Sequence, residues 1–152
     1  MKRSALFLLL PFALAGCMQE TASYMADGAE HAISLRAEQD YFWSDAVVLK
    51  MVVSNLPDCQ RQFPMTTVNT NGIDVELYGA GEGVYSMRVG AQVMRVDMRS
   101  CTRLTEPTAQ ELGQRVGAFK IGPNKKLVFE QAPDAPQPPA PEPRGAIPEP
   151  AP

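Results

Sequence analysis

"DAVVLKMVVSN", residues 45 to 55, decides how the rest of the chain is read. Val47, Val48, Leu49, Met51, Val52 and Val53 crowd into it, and after Asp45 at its start Lys50 is the only charge. β-branched side chains lose rotamer freedom in a helix and pack well on a pleated surface. The stretch therefore reads as a central strand. It stops at Leu56-Pro57, because proline has no N–H to continue a ladder.

Working outward from it, the same period recurs. Upstream, "HAISLRAE" (31–38) sets Ile33 and Leu35 against Ser34 and Arg36. Downstream, "MTTVNTNGIDVELY" (65–78) places Asn71-Gly72 between two strand-like runs, which predicts a hairpin because both residues tolerate positive φ. In its second arm Ile73, Val75 and Leu77 face one way, Asp74 and Glu76 the other. "GVYSMRVGAQVMRVDMRSC" (83–101) predicts another hairpin turning at Gly90-Ala91, with Met94, Val96 and Met98 dry and Arg95, Asp97 and Arg99 wet. "TEPTAQELGQRV" (105–116) predicts one short helix, capped by Thr105, with Pro107 in its first turn and ended by Gly113 and Gly117. "GAFKIGPNKKLVFEQ" (117–131) predicts a last hairpin around Gly122-Pro123-Asn124. The expected fold is mainly β: a small antiparallel sandwich or barrel over residues 30–131 with one short helix.

The N-terminus has a different character. Lys2 and Arg3 precede an uncharged, mainly apolar run from Ala5 to Leu14, broken by Pro11. About ten residues fall well short of the roughly 20 that span a bilayer as a helix. A basic start, a short apolar core and small residues at the end describe an export signal, residues 1–16. Leu14-Ala15-Gly16-Cys17 resembles the lipobox of bacterial lipoproteins. The resemblance covers 17 residues, and it implies that Cys17 is lipidated through its sulfur and becomes the new N-terminus. The competing reading is a plain secretory signal with a chance Cys, but such signals end in an A-x-A-like pattern. Several acyl chains on one Cys hold a protein to its membrane, since each buried methylene contributes roughly 0.8 kcal/mol. In Gram-negative lipoproteins an acidic residue after the Cys commonly retains the protein at the inner membrane. Met18 follows here, so the resemblance implies the outer membrane, with the domain facing the periplasm. The stretches "YFWS" (41–44) and "LPDCQR" (56–61), with a second Cys beyond a hairpin, are similar to small proteobacterial envelope lipoproteins without assigned activity.

Export sets how Cys59 and Cys101 are read. They remain as an even pair in an oxidising compartment, where disulfides persist, so they are expected to be bonded. A reactive thiol or metal site lacks companions, since there is no C-x-x-C and His31 is the only histidine. Without Lys2 and Arg3, 12 basic residues stand against 17 acidic ones, a net charge of −5. That excludes the clustered excess of cations a nucleic-acid partner requires.

Residues 17–29 are polar and small without a sustained period, and read as a lipidated flexible tether. Residues 132–152 read as a disordered Pro-rich tail; from 133 onward the segment holds nine prolines and almost no large apolar side chain. It is either a spacer or a ligand for an aromatic groove, through spacings such as Pro138-Pro139-Ala140-Pro141.

Catalytic chemistry finds little support. There is no G-x-S-x-G, and "GAGEG" (79–83) lacks the Lys-Ser/Thr and the helix of a phosphate loop, so it reads as a hairpin turn. No cofactor and no metal ligand set is expected. Met87, Met94 and Met98 form a thioether stripe that fits Cu(I) or, more commonly, core filling. Tyr41, Phe42 and Trp43 cannot all point inward from one strand, so either at least one lies exposed for a partner or Tyr41 and Trp43 plug the core while Phe42 covers a loop. Asp58 and Arg61 flank Cys59 in a constrained loop. These five are the candidate partner-binding residues. The expected role is non-enzymatic, an interaction or accessory module of the cell envelope. Its partners are the membrane, through the lipid, and an envelope protein reached by the tail or the aromatic patch. Binding of a small ligand, lipid or metal is the alternative.

Overall fold

The computed structural model describes residues 19–136 except Phe42. Cys17, most of the N-terminal segment and the tail beyond Pro136 lie outside them. Ten strands run through the described chain: β1 Gln19–Asp27, β2 His31–Glu38, β3 Ala46–Asn55, β4 Cys59–Asn69, β5 Asp74–Gly81, β6 Val84–Val89, β7 Gln92–Asp97, β8 Thr102–Leu104, β9 Gln114–Ile121 and β10 Leu127–Gln131. They form two antiparallel sheets, β1-β2-β3-β4 and β10-β9-β5-β6-β7-β8. Of the sandwich or barrel expected from the alternating pattern, two antiparallel sheets sharing one core are observed.

The core follows that alternation. Ile33, Leu35, Leu49, Met51 and Val53 of the first sheet meet Val75, Leu77, Met87, Met94, Val96 and Phe119 of the second, all buried. Met87 pairs directly with Met94, so the thioether stripe fills the core. As expected, β3 is central, the 84–97 pair turns at Gly90-Ala91, and β9 and β10 form the last hairpin. "GAGEG" ends β5 and turns at Glu82-Gly83, with Gly81, Glu82 and Gly83 all at positive φ.

Cys59 and Cys101 are bonded, joining the start of β4 to the turn between β7 and β8 across the two sheets. Asn55 Nδ2 reinforces the junction by donating to the Arg99 carbonyl at 3.0 Å.

Three expectations are corrected. First, most of the tether is strand: Gln19–Asp27 pairs along β2 from Gln19↔Glu38 to Asp27↔His31. Ala22 and Tyr24 point into the core, but the flanking Ala and Ser side chains are too small to announce the period. Second, Asn71-Gly72 closes no hairpin. Thr70–Gly72 is a single 3-10 turn that carries the chain from β4 in one sheet to β5 in the other, pinned where the Thr70 N–H meets the Asp45 carbonyl at 2.8 Å. The turn signal is real, but it carries no information about which sheet receives the next strand.

Third, the expected helix at 105–116 reduces to one 3-10 turn, Ala109–Glu111. Residues 105–113 link β8 at the sheet edge to β9, four strand positions away. At about 4.8 Å per position that is about 19 Å, whereas nine helical residues span only about 13 Å. The segment stays extended and forms a strap over the outer side of the sheet, where Tyr78 and Ser86 are buried. Thr108 and Glu111 brace it, with the Thr108 N–H and hydroxyl both donating to Glu111 Oε2 at 2.9 Å. The strap lands at Gly113, whose φ is +86 and where a Cβ would sit 2.2 Å from the Gly79 carbonyl oxygen. Gly113→Ala is therefore expected to destabilise by about 2 kcal/mol, from left-handed strain plus backbone overlap. A urea melt unchanged by that substitution would contradict the placement of the strap.

Candidate functional site

Strand direction gives the sandwich two distinct ends. β1 begins, β2 ends and β3 begins at one of them, together with the 70–73 corner and the turn between β9 and β10. At the opposite end lie the β1–β2, β3–β4 and β5–β6 turns, the disulfide and the exit of β10. The Cys59–Cys101 bond and the Tyr24–Tyr85 contact join the two sheets at this end, and the 70–72 turn joins them at the other, so the ends of the two sheets coincide.

The candidate partner-binding residues are split between these ends. Tyr41 and Trp43 sit in the β2–β3 turn, 57 % and 70 % exposed, with rings stacked at 5.1 Å and 23°. The turn is braced: Gln39 Nε2 donates to the Ser44 carbonyl, the Ser44 N–H to the Tyr41 carbonyl at 3.0 Å, and the Ala46 N–H to Ser44 Oγ at 3.1 Å. Phe42 lies outside the described residues. Asp58 is in the exposed β3–β4 turn, and Arg61 is on edge strand β4 opposite Val53, exposed at the sheet margin rather than held in a loop. Ten residues of β3 separate the two groups, roughly 30 Å at 3.3 Å per residue. They cannot form one surface.

Beside Asp58 and Arg61, Leu56 is also exposed. Toward the same end a cleft of about 250 Å³ opens between β1 and the second sheet, lined by Tyr24, Tyr85, Gln114, Val116, Pro136 and the glycines of the β5–β6 turn. Glycine builds this wall because side chains would fill the cleft: a Cβ on Gly79 would lie 3.3 Å from Val116 and 3.6 Å from Tyr85. Aromatic rings lead from the core to the cleft, Phe119 to Phe129 at 4.8 Å, Phe129 to Tyr24 at 5.3 Å and Tyr24 to Tyr85 at 6.0 Å. Burial pushes the Tyr85 hydroxyl up to about 12, and the neighbouring Tyr24 and Asp27 add to the effect. Tyr85 is thus a neutral hydrogen-bonding group at any ordinary pH. Tyr24 was hidden from sequence reasoning inside the supposed tether; the spacing Ala22-Tyr24-Ala26 is the signal that would have found it.

Pro136 belongs to a short extension of the domain. The Ala132 N–H donates to the Val116 carbonyl at 2.8 Å, Gln114 Nε2 to the Asp134 carbonyl at 2.7 Å, and Ala135 packs on the core. The packed part of the chain therefore continues past Gln131, at least as far as Pro136.

One charged cluster lies on the outer side of the second sheet. Glu76 Oε2 accepts from Arg88 Nε at 2.8 Å and from the Tyr78 hydroxyl at 3.0 Å, and Arg115 Nε is 3.3 Å from Oε1. The Arg88 guanidinium also stacks 5.1 Å from the Tyr78 ring centre. Burial alone would raise the Glu76 carboxyl, but the hydrogen bonds from Arg88 and Tyr78 and the two arginine charges outweigh it and hold it below the usual carboxylate range. Each carboxylate oxygen is satisfied within the sheet, so the cluster ties β5, β6 and β9 together. A depressed folded pKa contributes stability above the unfolded value and loses it as pH falls through the folded one. Glu76→Gln is accordingly expected to be less stable than the parent at neutral pH, with the gap closing in acid. Urea midpoints across pH 7 to about 3 would measure it, and a gap that widens in acid would contradict the network.

Among the described residues no group of three or more His, Cys, Asp or Glu could hold a metal, and no helix is long and apolar enough to cross a membrane. His31 is occupied structurally, its Nδ1 2.8 Å from the Asp27 carbonyl in the β1–β2 turn. No protein-family model, curated protein or solved structure matches the chain.

Proposed function

We propose that this chain is a lipid-anchored protein of the outer membrane, facing the periplasm, and that it works as a non-enzymatic interaction module of the cell envelope. The observation that supports this reading best is that Gln19, which opens β1, lies at one end of the sandwich and Pro136 lies at the other, beside the β5–β6 turn. A domain anchored through Cys17 then turns its far end away from the lipid. That far end carries Leu56, Asp58, Arg61, the tyrosine cleft and the root of the Pro-rich segment.

The partner is an envelope protein that engages the tail and the rim from which it emerges. Pro-rich segments bind at low entropic cost because they are already extended. The test is in-cell crosslinking with mass spectrometry on the full protein and on a form ended after Pro136, which leaves the packed extension in place. A specific envelope protein captured by the full chain and lost with residues 137–152 is the expected result. Capture of the same protein by both forms would move the contact to the domain rim, and capture by neither would refute the interaction reading.

The cleft favours a second reading, a small-ligand site. Its volume of about 250 Å³ lies just below the usual range for such pockets, so it suits a single ring or amino acid rather than a larger ligand. Nothing comparable supports a metal.

A further inference from the structure

The exposed aromatic turn sits at the end of the sandwich where the lipid would be attached, and that placement assigns it a ligand. Only Met18 separates Cys17 from the first residue of β1. Gln19 is fixed in place: it pairs with Glu38, the last residue of β2, and Arg36 donates to its Oε1 at 2.9 Å. Two Cα steps reach about 7 Å at most, so the expected tether is almost entirely consumed by the strand. The interfacial layer of a bilayer is itself about 5–7 Å deep on each side. A lipidated Cys17 therefore brings the Gln19 end of the sandwich down to the headgroups.

The residues presented there suit that environment. The β2–β3 turn follows Glu38 directly, and it exposes the stacked rings of Tyr41 and Trp43. Tyr and Trp have an apolar body and a polar edge, and both concentrate at membrane–water interfaces. The β9–β10 turn lies at the same end, since Lys120 pairs with Asp74 and Leu127 with Ile121, and it exposes Lys125 and Lys126. β10 packs beside β1, which sets that turn near the anchor. Asp40 and Asp45 flank the rings and oppose a strongly anionic surface. The combination matches zwitterionic phospholipid, with the lysines reaching phosphate.

We propose that the Tyr41–Trp43 turn, assisted by Lys125 and Lys126, is a membrane-docking edge that rests in the headgroup layer of the bilayer holding the Cys17 lipid. This inference rests on the anchored reading above. It adds that the domain is held upright instead of swinging on its lipid, which keeps the cleft and the root of the tail pointed away from the membrane.

Trp43 is the only tryptophan in the chain, so its fluorescence reports on this turn alone. The experiment reconstitutes the full lipidated protein into phosphatidylcholine vesicles whose acyl chains do or do not carry bromine, a short-range quencher. A second form carries a Gly-Ser spacer between Met18 and Gln19, which separates docking from mere tethering. The expected result is that the protein floats with the vesicles, Trp43 emission shifts to the blue and is mostly lost on bromination, and the spacer form keeps most of that quenching. Replacing Tyr41 with Ser and both lysines with Glu in the spacer form is expected to abolish it. Flotation with emission that bromine leaves unchanged, or quenching lost once the spacer is present, would overturn the docking edge while the anchor stands. Failure to float would overturn the anchor and the docking edge together.

Discussion

Replacing Cys59 and Cys101 together with Ala is expected to lower the stability of the domain by about 4 kcal/mol. The bond closes a loop with a sequence separation of 42, and the chain-entropy model assigns that value to a loop of this size. Cys101 is fully buried, so the substitution also loosens the junction where Asn55 meets Arg99. For a domain with 5–15 kcal/mol in total this is a large fraction. It corresponds to a fall in melting temperature of about 15 °C or more. Thermal and urea melts of parent and variant would measure it. Near-equal stability of the two would mean that the sheets hold together without the cross-link. The loss should concentrate at the far end, appearing as faster amide exchange in residues 97–104 while β2 and β3 stay protected.

Phe119→Ala is the second large effect, an expected loss of about 3–5 kcal/mol. Phe119 is fully buried on β9, between Val75 of β5 and Phe129 of β10, and its ring is the inner end of the aromatic series that reaches Tyr24 and Tyr85. Removing it leaves a cavity under Phe129 and withdraws support from the cleft wall. Urea unfolding would measure the stability. The tilted rings at 4.8 and 5.3 Å should produce a near-UV circular dichroism signal that the variant weakens. A loss below about 1 kcal/mol would contradict a core organised around this ring.

How much of this was legible in the sequence depended on what each signal encodes. Val47 to Val53 and Met94 to Met98 announced strands because their period of two records a dry face and a wet one. Even pairing plus export implied the Cys59–Cys101 bond. What failed was long-range. Asn71-Gly72 marks a turn equally well whether the next strand pairs locally or crosses to the other sheet. Thr105 to Val116 carries helix-start chemistry, but the distance from β8 to β9 overrides it. β1 was lost because Ala22 and Ala26 are small, and with it went Tyr24, the cleft and the closeness of Gln19 to the start of the aromatic turn. Tyr41, Trp43, Asp58 and Arg61 were singled out as candidates, but the competing reading that Tyr41 and Trp43 plug the core is overturned by their exposure, and only the strand order shows that the two groups occupy opposite ends.

The proposed anchor at Cys17 is what would give those two ends their meaning, so it is the measurement to make first. Intact-mass and N-terminal analysis of the protein extracted from membranes of an expressing Gram-negative host tests it directly. The account predicts a chain that begins at Cys17 and is heavier than its sequence by diacylglyceryl and acyl groups on that residue. A chain that begins elsewhere, or carries an unmodified Cys17, would contradict it and leave the aromatic turn without a membrane to meet.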